Sequence, residues 1–304
     1  MTTDKEEIDT NTSAGWVSHS VHMYETDWWR DRTSAWWAKV DRAEHHINTL
    51  AADIDAFLGS TVYEVLPEPG DQPDETIYRL RMHLPIPIHF STIIGDALHN
   101  LRSALDCAAY EMARRHVGRD LTEKEELACE FPIRDDPNKL DKFFSAGGRQ
   151  ALYGAQERQA IRDVQPAWLH DEVASRGVEE LRPREESVTY DPLWLLSRLS
   201  NIDKHRRLHL TAWWPDIVYW GSDKPSRRRW RWGQPPYEDG RVLGRLIDDS
   251  EHPEPPAMLR QEMTLRILYP GAESQDVARL LEGIHQDLTY RVLPRLLDPR
   301  RRTA

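Results

Sequence analysis

The sequence predicts a single α+β domain, with about four long helices in its core and an antiparallel sheet supplied mainly by the C-terminal half. Three observations carry that expectation. Apolar residues recur at three- and four-residue steps over long blocks, which is the pattern of amphipathic helices. Strand-like blocks are grouped, so the order reads helices, strands, helices, strands, helix rather than the alternation of a doubly wound sheet. Finally, 12 Trp in 304 residues is too much indole for a disordered chain, although only 39% of residues are apolar and 30% are charged.

Residues 1–27 open acidic and polar from Met1 to Ala14, unlike a secretory signal, and are expected to be a loosely ordered tail. A helix is predicted from Trp28 to Phe57, carried by Trp29, Trp36, Trp37, Val40, Ala43, Ile47, Leu50 and Ile54, and ended by Gly59-Ser60. Residues 61–66 and 76–84 read as strands, with the Pro-, Gly- and Asp-rich stretch Pro67–Asp74 as their hairpin loop. The strongest helix follows Pro85 and Pro87, running from Phe90 to His116 and closed by Gly118. In the less regular middle, Thr122-Glu-Lys-Glu125 is a capping box, Phe131-Pro-Ile133 is short and extended, and a helix covers Gln156–Val164. Another helix starts at Pro192 with Asp191 as its N-cap and reaches Leu208. Residues 208–214, 217–220, 228–232, 241–247 and 262–269 then read as strands, and Ser274 opens a last amphipathic helix to Leu297. The domain therefore spans residues 28–297, and 298–304 is a basic tail.

A formal net charge of −11 opposes loose attachment to nucleic acid or acidic lipid, so any nucleic-acid contact has to be local. No apolar run reaches membrane-spanning length. Cys107 and Cys129 lack metal-ligand spacing, which fits a reducing, cytoplasmic setting.

Chemistry concentrates on two helices. On the first, Ile94, Leu98, Leu101, Leu105, Ala108 and Met112 form an apolar stripe, and His99, Arg102 and Asp106 lie three, four and seven apart on an adjoining face. Asp96 and Asn100 flank the stripe elsewhere. Such a set can orient an imidazole with a carboxylate and hold an anion with the guanidinium. The plainer reading is an i,i+4 bridge between Arg102 and Asp106 on a half-buried helix. On the second helix Leu195, Leu199 and Ile202 face inward. Arg198, His205 and His209 project together, with Asn201, Asp203 and Lys204 nearby and Arg206 on another face. Like charges so gathered call for an anion or for the carboxylates of the first helix. The plain alternative pairs Asp96 and Asp106 with Arg198 and Arg206 across a closed helix–helix contact.

The strings Gly95-Asp-Ala-Leu-His-Asn-Leu-Arg-Ser-Ala-Leu-Asp106, Phe131-Pro-Ile133 and Asn201-Ile-Asp-Lys-His-Arg206 resemble, in that order, a family of uncharacterised bacterial proteins. That resemblance covers about residues 28–297 and implies no activity. A fainter likeness is to the HEPN superfamily, helical bundles that include metal-independent RNases with four to six residues between an Arg and a His. Arg198 and His205 have that spacing. The likeness implies His205 as general acid or base on a ribose 2′-hydroxyl and Arg198 stabilising the phosphorane. Leu199 stands where HEPN RNases carry a polar residue, and Cys107 where a second motif would need His.

Other signals are weaker. Glu44-His45-His46, Asp96, His99, Asp203 and His205 suggest a metal site, but only one of His45 and His46 could join it, and Arg102, Lys204 and Arg206 would crowd the ion with cations. No metal or other cofactor is expected. In Lys224–Trp232 Arg and Trp alternate, which suits either a base-stacking surface or an edge strand with charges outward and Trp230 and Trp232 inward. The Trp28-Trp29, Trp36-Trp37 and Trp213-Trp214 pairs cap a core more readily than they line a pocket. Gly-rich phosphate loops, nucleophile elbows, H-E-x-x-H and paired C-x-x-C motifs are absent. The sequence thus points to a soluble bacterial protein with a polar inter-helix site for an anion, such as an RNA or nucleotide phosphate. HEPN-like cleavage is its enzymatic version, and its rival is a non-catalytic interaction module whose polar helices fix packing. Either is compatible with a homo-oligomer.

Overall fold

The structure, a computed structural model, describes residues 33–60, 62–166, 191–205, 208–213, 228–233, 237–248, 264–268 and 275–298. The expected strand at 217–220, the tails, and the beginning of the first helix at Trp28 lie outside them.

The described helices are α1 (Ala35–Leu58), α2 (Ile88–Val117), α3 (Glu123–Ala128), α4 (Pro137–Ser145), α5 (Arg149–Leu152), α6 (Ala155–Asp163), α7 (Pro192–His205), α8 (Val277–Asp287) and α9 (Leu293–Leu297). The strands are β1 (Tyr63–Pro69), β2 (Glu75–Met82), β3 (His209–Trp213), β4 (Arg228–Trp232), β5 (Val242–Asp248), β6 (Thr264–Leu268) and β7 (Gln275–Asp276). The α+β expectation holds, and the helical core is the one the apolar stripes define. On α2, Ile94, Leu98, Leu101, Leu105, Ala108 and Met112 are all fully buried. They meet Trp36, Trp37, Val40, Ile47 and Leu50 of α1, Leu195 and Leu199 of α7, and Leu281 and Ile284 of α8 in one cluster. Burial of each such Leu, Ile, Val or Met side chain contributes about 1.5–3 kcal/mol.

One expectation is overstated: the C-terminal half supplies five of the seven described strands, but the N-terminal half supplies the other two. The larger sheet has the order β1-β2-β5-β4, antiparallel throughout, so the N-terminal hairpin forms half of it. The second sheet, β3-β6-β7, is C-terminal. The pairing β2–β5 spans most of the chain, and no local pattern encodes such a contact. β1 also runs on through Pro67 to Pro69, shortening the expected loop. An edge strand tolerates proline because half of its N–H groups need no partner. A smaller core of Val62, Leu80, Ala212, Tyr237 and Leu243 lies between the sheets. On β4, Arg229 and Arg231 are exposed, while Trp230 packs on Tyr78 and over Gly244. This is the edge-strand arrangement.

Local signals explain several boundaries. Thr122 and Glu125 form the expected capping box on α3, and Arg119 joins it, holding the Glu125 carboxyl down at about 2. Asp191 caps α7, accepting from the Trp194 N–H at 3.0 Å. The last helix begins one turn later than expected, at Val277, with Asp276 as its cap. It also contains a π-helical turn, Leu288–Val292, in which the Leu293 N–H bonds the Leu288 carbonyl. Pro294 follows directly and has no N–H to give to an α-type ladder. Up to that turn the segment packs on α1, α7 and α2; beyond it, on α2 and α6. No helix among the described residues is long and apolar enough to cross a membrane.

Candidate functional site

α2 and α7 pack against each other, as the clustered charges require, and Gly95 sets how closely. A Cβ at Gly95 would stand 2.7 Å from both carboxylate oxygens of Asp203, so only glycine lets that side chain lie on α2. The ionic groups do not converge, however. They divide into three sets facing different ways.

The first set is a clasp. The Arg102 guanidinium donates to the Phe131 carbonyl at 2.5 Å, and the Asp106 carboxylate accepts from the Phe131 N–H at 2.9 Å. The two side chains also bridge each other at 3.4 Å, as the plainer reading held. Buried Gln165 completes the job, donating to the Pro132 carbonyl and accepting from the Arg134 N–H. The Phe131 N–H and carbonyl, the Pro132 carbonyl and the Arg134 N–H of this segment, which lies outside any sheet, are thereby satisfied by side chains, as buried irregular backbone requires. Arg102 and Asp106 do not form an anion-and-imidazole pair with His99. The imidazole instead lies 3.5 Å from the Ser103 hydroxyl.

The second set lies in the seam between α1, α2 and α7, where His46, Asp96, His99 and Asp203 come near one another. Burial pushes the Asp203 carboxyl above its usual range, Asp96 adds to the rise and His99 opposes it. Burial also lowers His46, with Arg42 adding and Asp96 opposing. Among the described residues no group of three or more His, Cys, Asp or Glu stands close enough to hold a metal ion.

The third set faces outward. Trp194, Ser197, Arg198 and Asn201 occupy one stripe of α7 and, with Ile133, Arg134, Asp135 and Lys139, line a cleft of about 320 Å³. Arg198 is exposed and has no hydrogen bond or ion pair among the described residues. Among the described residues Lys139 pairs only with Asp135, at 3.3 Å. The Arg134 guanidinium donates to the Ile133 carbonyl and lies 5.7 Å from the Phe143 ring centre. The walls thus carry three cations against one carboxylate over a floor of Trp194 and Ile133.

Of the residues singled out from sequence, Arg198 and Asn201 line this cleft. His205 is exposed on the same stripe of α7, beyond the cleft wall, and Lys204 is exposed on another. Arg206 and the His209 side chain lie outside the described residues. The proposed pairing of Asp96 and Asp106 with Arg198 does not occur: Asp106 is engaged by Arg102 and the Phe131 N–H. Sequence reasoning missed Arg134, Lys139, Trp194 and Gln165. The Asp136-Pro137 start of α4, which repeats the Asp191-Pro192 signal, could have placed Lys139 on a helix beside the Phe131 motif.

No family model, no curated protein and no solved structure matches this chain.

Proposed function

We propose that this protein binds a small anionic molecule, one carrying a phosphate or carboxylate group, in the cleft between α7 and the Phe131–Lys139 segment. The observation that carries the reading is positive charge: Arg198, which has no partner among the described residues, lines one concave space with Arg134 and Lys139. Guanidinium groups suit such ligands because they offer paired donors in a plane. The clasp supports the reading too, since it fixes the wall that bears Arg134. Titration calorimetry with ribose 5-phosphate at low salt tests it. Arg198→Ala and Lys139→Ala should each weaken binding about tenfold, the loss expected for one charge-assisted hydrogen bond. Unchanged affinity in both variants, or no heat from the wild type, overturns the reading.

The catalytic version is HEPN-like, metal-independent RNA cleavage, with Arg198 stabilising the phosphorane and His205 moving the proton. Their exposure on one stripe of α7 supports it. Cleavage of RNA in EDTA that disappears in both Arg198→Ala and His205→Ala is the expected result; cleavage surviving either change removes it. The interaction-module reading draws its support from the clasp, where α2 charges serve packing. It expects Arg198→Ala to lower the melting temperature rather than ligand affinity.

A further inference from the structure

The cleft floor carries information that its charges do not. Trp194 is half-buried, packs at the edge of the main core, and lines the cleft together with Ile133. It lies on the α7 stripe between Arg198, one turn on, and Ser197 and Asn201 to the other side. A site for a bare anion has no use for an indole floor, because desolvating an ion against apolar surface is unfavourable. A flat ring attached to the anion does use it: stacking on an aromatic face removes apolar area from water, and π-faces of any base can stack. Ser197 and Asn201 then offer a hydroxyl and an amide at the edge of such a ring, with both donor and acceptor capacity. The space, about 320 Å³, falls at the lower end of the range for small-molecule sites.

We infer that the ligand of this cleft is a mononucleotide, its base on Trp194 and its phosphate among Arg134, Lys139 and Arg198. This assignment rests on the anion reading of the same cleft and adds the ring to it. Asp135, the only carboxylate among the lining residues, falls into place as an acceptor for ribose hydroxyls, beside Lys139 at 3.3 Å.

The test compares AMP, UMP and ribose 5-phosphate on the full chain by titration calorimetry. At least one mononucleotide should bind about tenfold or more tightly than ribose 5-phosphate. Trp194→Leu should abolish that preference, and Trp194→Phe, which keeps a ring, should retain most of it. A melting curve on each variant checks folding, and the wild-type comparison stands without any variant. Equal affinity for all three probes overturns the mononucleotide assignment while leaving the anion reading intact. No binding of any probe overturns both. A single-stranded RNA hexamer binding far more tightly than AMP or UMP also overturns it, in favour of an extended polymer site.

Discussion

α2 and α7 are similarly rich in charged residues along their polar strings, yet they use them in opposite ways. On α2, Arg102 and Asp106 turn to the protein's own backbone and hold Phe131 by both its carbonyl and its N–H. On α7, Arg198 points to solvent beside a cleft and is engaged by nothing described. A polar residue within a helix therefore says little about function until its partners are known. Charges consumed by the fold fix geometry; charges left over are available to a ligand. The two are connected here, because the segment that α2 grips is the segment that carries Arg134 and Asp135 into the cleft.

The largest effect should come from the inward charges. Arg102→Ala combined with Asp106→Ala strands a buried carbonyl and a buried N–H, and should cost about 2–5 kcal/mol of stability in a urea titration. Ligand affinity should fall with it as the 131–134 wall loosens. A loss below about 0.5 kcal/mol would mean that the clasp is ornamental.

A smaller loss is expected at the helix seam. Gly95→Leu must push the Asp203 carboxylate off α2 and should cost about 1–3 kcal/mol by overpacking. Gly95→Ala should cost less, since about 1 kcal/mol of helix propensity offsets the displaced side chain. If Leu is tolerated as well as Ala, the close approach of α2 and α7 is not set by this glycine.

The cap of α7 gives a pH-dependent comparison. Burial raises the Asp191 carboxyl to about 6, with Arg291 opposing and Asp287 reinforcing the rise. The folded state therefore holds this proton more tightly than the unfolded chain. Stability from this group is full below the ordinary carboxylate range and is lost as pH rises toward about 6. Asp191→Asn keeps a good N-cap without the charge. It should be more stable than the wild type at pH 7 by up to about 3 kcal/mol, with the advantage vanishing near pH 4. Thermal melts across that range check it, and a constant difference would show that the cap does not titrate there.

The smallest effect on stability belongs to the outward charge. Arg198→Ala should change unfolding free energy by less than about 0.5 kcal/mol, as for an exposed side chain with no partner. Its effect should appear in binding alone. A drop in stability like that of the clasp variants would erase the contrast between the two helices.

Sequence periodicity located α1, α2, α7 and α8 because each buries one continuous stripe, and caps such as Thr122 and Asp191 are local enough to read directly. The β2–β5 pairing was not legible, since its partners are far apart in sequence and register is settled only in three dimensions. For the site, spacing put Arg198 and His205 on one face of α7, both exposed there, and Asn201 only near them. It could not reveal that Arg102 reaches a backbone carbonyl 29 residues away, or that Lys139 and Arg134 come from a different segment to face α7.

The π-helical turn at Leu288–Val292 makes the end of the chain a keyed part. One inserted residue turns everything after it by about 100° about the helix axis. That is how a single rod that follows α2 along its length can seat one ridge against α1 and α7, and a second, offset ridge against α6. Deleting Tyr290 would not merely tighten that turn. It would swing Leu296 and Leu297 off their seat while Leu281 and Ile284 stayed in place, so the same residues would no longer close the bundle's far end.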